Sequence, residues 1–102
     1  MSEFTLNDID TIEHEHDSEE QYFAAIQRAI NDGTAWKFQG SYGRAMMNAI
    51  ECGRCMLGVR AAFDYYGNRI PGRSEVKEGT KGSLEYVRAN SGDYWADLMQ
   101  SI

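Results

Sequence analysis

A chain of 102 residues with 42% apolar and 12% aromatic residues can fill one modest core but not two, and it is too apolar to stay disordered as a whole. No run approaches the roughly 18 apolar residues of a membrane span, and the start of the chain lacks a basic, apolar signal pattern, so a cytoplasmic protein with no membrane role is expected. The net charge of −6 is unevenly spread: residues 1–20 hold eight acids and no Lys or Arg, while the other 82 carry eight acids and ten bases.

That division predicts an acidic N-terminal arm over residues 1–17 and a single compact domain over residues 18–102. A block of like charges repels itself into solvent, which is the simplest account of the arm. The alternative is an arm that contacts a basic partner or covers the basic segment of its own chain.

Ser18-Glu19-Glu20-Gln21 has the spacing of a capping box, and two acids in the first turn suit the helix dipole. Tyr22, Phe23, Ile26, Ala29 and Ile30 then recur at helical spacing and Gly33 supplies the stop, so a helix is predicted from Glu19 to Asp32. Residues 34–39 alternate, with Trp36 and Phe38 on one side, as a short strand would; its nearest partner is Cys55-Met56-Leu57-Gly58-Val59, and an extended connection without pairing is the alternative. Between them, Tyr42, Ala45, Met46, Ala49, Ile50 and Gly53 form the stripe of a central helix, with Ser41 placed to cap it and Gly53 to end it.

Residues 59–82 carry turn signals at Gly67-Asn68, Pro71-Gly72 and Gly79 to Gly82, and are expected to form a long structured loop anchored by Phe63, Tyr65, Tyr66 and Ile70. Ser83 is placed to cap a helix carrying Leu84 and Val87 and ending near Asn90. Ser91-Gly92-Asp93 opens a last one bearing Tyr94, Trp95, Leu98, Met99 and Ile102. The fold class is α+β, mainly helical: three to four helices, a short two-stranded or extended segment and the long loop. The expected core is Phe23, Ile26, Ile30, Trp36, Phe38, Tyr42, Met46, Ala49, Ile50, Leu57, Leu84, Val87, Trp95 and Leu98.

Several patterns touch on chemistry without completing a site. Cys52-x-x-Cys55 stands alone, and His14 and His16, which could complete four zinc ligands, lie in the acidic arm. The pair ends a helix instead of opening one, so the dipole disfavours a reactive thiolate. Gly40-Ser41-Tyr42-Gly43-Arg44 opens a helix with glycines but matches no phosphate-binding fingerprint. No metal, cofactor or catalytic residue is assigned. From Arg54 to Arg88 seven bases face four acids and are interleaved with aromatics, a pattern compatible with single-stranded nucleic acid, although an excess of only three favours a mixed, solvated face. The candidate binding residues are Tyr65, Tyr66, Asn68, Arg69 and Arg73.

The run from Trp36 through Gln39-Gly40-Ser41-Tyr42-Gly43-Arg44-Ala45, with Ala49-Ile50-Glu51, Cys55-Met56-Leu57, Asp64-Tyr65-Tyr66-Gly67-Asn68, Pro71 and Gly79-Thr80-Lys81-Gly82-Ser83, resembles a group of small uncharacterised proteins of bacteriophages that infect actinobacteria. The similarity covers roughly residues 22–87. It implies a phage protein in a bacterial cytoplasm and carries no reaction. The expectation is a non-enzymatic accessory protein that modulates a host or phage process by binding a host or phage protein. A nucleic-acid-associated protein using residues 54–88 is the alternative.

Overall fold

Ser18 opens the first helix as its spacing to Gln21 predicts: its hydroxyl accepts from the Gln21 amide at 3.1 Å. The computed structural model describes residues 18–37 and 40–102, with only the backbone described at 40–42. The predicted arm and its two histidines therefore lie outside the described residues, as do Phe38, Gln39 and the Tyr42 side chain. Helix α1 spans Glu19–Asp32 and closes at Gly33, whose φ of 88° is left-handed and open to glycine at little strain.

A 3₁₀ turn, Thr34–Lys37, follows where the alternation predicted a strand. A local bond decides this: the Gly33 carbonyl accepts the Trp36 amide at 3.3 Å. Helix α2 spans Gly40–Glu51. Helix α2 already includes Gly40, so Ser41 falls inside the helix instead of capping it. Its stripe turns inward as the periodicity predicts, with Met46, Ala49 and Ile50 buried and Ala45 half-buried.

The segment 55–58 is not a strand either. It is buried; the Cys55 amide donates to the Ala49 carbonyl at 3.0 Å, and the groups of Met56, Leu57 and Gly58 find distant partners. The Gln27 side chain grips both sides of Met56: its carboxamide oxygen accepts the Met56 amide and its Nε2 donates to the Met56 carbonyl, each at 2.9 Å. The Leu57 amide donates to the Gly82 carbonyl at 2.9 Å, and the Arg73 amide to the Gly58 carbonyl at 2.8 Å. Arg73 turns its side chain inward as well, donating from Nε to the Leu57 carbonyl at 2.7 Å and from a terminal nitrogen to Asn31 Oδ1 at 3.1 Å.

The two-stranded element lies within the expected loop. Strands β1 (Ala62–Phe63) and β2 (Arg69–Ile70) pair antiparallel, Ala62 opposite Ile70 and Phe63 opposite Arg69. Of the four residues expected to anchor this region, only Ile70 packs against the core; Phe63, Tyr65 and Tyr66 are exposed. Helices α3 (Leu84–Ser91) and α4 (Asp93–Gln100) complete the chain. Ser83 caps α3, its hydroxyl accepting the Tyr86 amide at 3.1 Å. No helix among the described residues is long and apolar enough to cross a membrane.

The four described helices and the small sheet make a mainly helical α+β fold. Its core joins Ile26, Ile30, Met46, Ala49, Ile50, Leu57, Val87 and Trp95, all expected, to Ala25, Ala29, Ala35, Cys55, Met56, Ala96 and Met99. Phe23, Trp36, Leu84 and Leu98 are partly buried against it.

Candidate functional site

One side of α2 faces the 3₁₀ turn and the hairpin across an open groove. The Tyr65 amide donates to the Trp36 carbonyl at 3.1 Å and so ties the hairpin loop to the turn below it. One part of the groove, about 730 Å³, runs between Trp36, Arg44 and Met47 and the loop residues Asp64, Tyr65 and Tyr66. The adjoining part, about 520 Å³, continues past Ile50 and Leu57 to Ile70, Val76 and Lys81. Trp36, Met47, Glu51 and Asp64 line both parts.

Asp64 shapes the loop that forms one wall. Its Oδ1 accepts the amides of Tyr66 at 2.9 Å and Asn68 at 2.8 Å, and its Oδ2 accepts Asn68 Nδ2 at 3.2 Å. This is an aspartate-nucleated turn, and Gly67, with φ of 83°, completes it. Those donors, the Asn68 amide foremost, hold the Asp64 carboxyl below the usual carboxylate range, so it is ionised at neutral pH. At the base of the hairpin Glu75 accepts from the Gly72 amide and from Arg69, both at 2.8 Å, and its carboxyl is lowered by these in that order.

The structure brings four of the five sequence candidates to the hairpin. Tyr65 and Tyr66, 65% and 79% exposed, meet edge to face at 5.3 Å beside Met47, which is 44% exposed. Asn68 serves the turn, and Arg69 pairs with Glu75. Arg73 stands apart, with its guanidinium spent on the interior bonds to Leu57 and Asn31. Burial lowers its pKa.

Spacing alone did not single out Met47, Glu51 and Asp64. Met47 gave one signal, an apolar residue off the buried stripe of α2. Asp64 gave another, an Asx three residues ahead of Gly67.

Several bases of the basic segment are engaged within the fold. Arg54 lies over the Trp95 ring at 4.7 Å and reaches Glu19 at 3.6 Å, while Arg88 bridges Asp93 and Asp97 at 2.9 and 3.0 Å. Arg60 is also engaged. Cys52 is exposed and Cys55 buried, and burial pushes the Cys55 thiol far up, away from the thiolate that nucleophiles and metal ligands need. Among the described residues no three of His, Cys, Asp and Glu gather as metal ligands. Comparison of the chain with protein-family models, with curated protein sequences and with solved structures finds no match.

Proposed function

We propose that this chain is a small non-enzymatic accessory protein of phage origin that works by binding another protein, and that the groove beside α2 is where it does so. The observation that carries this reading is the placing of Tyr65, Tyr66 and Met47 in solvent along an open groove that mixes polar and apolar residues and continues into an apolar stretch past Ile50, Leu57 and Ile70. Aromatic and Met side chains that stand exposed beside a cleft are the usual anchors of protein interfaces, and such a patch is unfavourable in water unless something covers it. The nucleic-acid reading draws less support. A phosphate backbone would meet Glu51 and Asp64 in the groove, and five of the seven bases in residues 54–88 already hold partners within the fold.

Immobilised full-length protein should retain a protein from an actinobacterial lysate after nuclease treatment, and Met47→Asp, at an exposed position, should abolish that capture without unfolding the chain. Capture that vanishes with nuclease, or that Met47→Asp leaves intact, would contradict the proposal.

A further inference from the structure

We infer that the groove takes a cationic side chain, Arg or Lys, flanked by apolar residues on a segment of the partner protein. This rests on the protein-binding reading above and specifies its chemistry.

The charges along the groove are ordered. Glu51 and Asp64 line both parts and so stand at its middle, while Arg44 lines only one part and Lys81 only the other. Asp64 is fixed in place and kept ionised by the donors of its own turn. Its Oδ2 accepts a single bond, so it retains room for a donor from a ligand. Trp36 and Tyr65 line the same part, and their ring faces attract a cation that has left bulk water. On the other side Ile50, Ile70 and Val76 offer apolar contact to the neighbours of that cation.

A segment with an acid at its centre would set its carboxylate against two others, and like charges repel. The same argument disfavours this chain's own residues 1–17, which hold six acids and no Lys or Arg.

The test titrates three peptides into the full-length, ¹⁵N-labelled chain at low salt. They are acetyl-Ala-Leu-Arg-Leu-Ala-amide, the same peptide with norleucine for Arg, and a synthetic copy of residues 1–17. The Arg peptide should move the Trp36 indole and the Met47, Glu51 and Tyr65 amides, and should bind about tenfold tighter than the norleucine peptide. That preference should shrink as salt is added. The 1–17 peptide should move none of them.

Glu51→Lys should erase the preference for Arg. Glu51 is exposed at the C-terminal end of α2, where a Lys suits the helix dipole, so the variant keeps its fold.

Equal binding of the Arg and norleucine peptides would overturn the inference. So would tighter binding of the 1–17 peptide, which would seat the chain's own N-terminal segment in the groove. Movement of the same signals on concentrating the protein alone would overturn it in favour of a second copy. If no peptide moves these signals while nuclease-resistant capture still depends on Met47, the cationic occupant is wrong and the protein-binding reading survives. If capture is also independent of Met47, both are wrong.

Discussion

Gln27→Leu is expected to lower the free energy of unfolding by about 2 to 6 kcal/mol, because it leaves two buried backbone groups of Met56 without partners at about 1 to 3 kcal/mol each. Gln27 is fully buried, and Leu has nearly its volume, so neither a cavity nor crowding confuses the result. Gln27 Nε2 also donates to Asn31 Oδ1 at 3.0 Å, and Asn31 in turn accepts from Arg73, so the substitution loosens the network that fixes both ends of the hairpin. Urea denaturation measures the effect as a fall in midpoint at unchanged slope. A loss below about 0.5 kcal/mol, the scatter of ordinary surface substitutions, would show that water or a shift of segment 55–58 satisfies Met56 instead.

Gly53→Ala has the second large expected effect, and two causes add. Gly53 closes α2 at φ of 78°, a conformation that disfavours any residue with a Cβ by about 1 to 2 kcal/mol. A Cβ there would also stand 2.5 Å from Asn90 Cβ on α3, too close without movement of one helix against the other, and overpacking of this kind costs about 1 to 3 kcal/mol. The joint is held on its other side by Ser91, whose hydroxyl donates to the Gly53 carbonyl at 2.9 Å. Gly67→Ala separates the two causes, since φ there is 83° and nothing lies within 4 Å of the added carbon. Thermal unfolding should show Gly53→Ala falling well below Gly67→Ala. Equal losses would mean that α3 yields freely and only backbone strain matters.

What could be read from the sequence is what short-range chemistry decides. Ser18 and Ser83 start helices by accepting amides three residues on, and Gly33 and Gly53 end helices through their own backbone conformation, so each is legible in a few residues. The buried stripe of α2 followed from its periodicity for the same reason.

Residues 55–59 are the nearest candidate partner for the predicted strand, with an unpaired extended connection as the alternative, and the alternative is what forms: beyond the Cys55 amide on Ala49, the bonds go to Gln27, Arg73 and Gly82, none of them near in sequence. The trace of this was Gln27 itself, a polar residue on the stripe of Phe23, Ile26 and Ile30. The hairpin escaped because two-residue strands are too short to show alternation, although its turn at Gly67-Asn68 was evident.

The groove was the least legible feature. Its walls come from positions 36, 47, 51, 64 and 70, which only the folded chain brings together. Tyr65 and Tyr66 are expected both to anchor the loop and to bind, and exposure separates the two roles: their side chains do not pack into the core, and only the Tyr65 backbone amide ties the loop down.

The central claim is that the face formed by α2 and the hairpin is the one a partner protein covers. The most direct measurement places a photo-activated cross-linking side chain singly at positions 47, 66, 85 and 97 of the full-length protein, all exposed, and irradiates each in nuclease-treated actinobacterial lysate. Positions 47 and 66 line the groove, whereas 85 and 97 lie on α3 and α4 away from it. A single protein adduct formed from 47 and 66 and absent from 85 and 97 is the predicted result. Adducts of equal yield from all four, or from 85 and 97 alone, would contradict it.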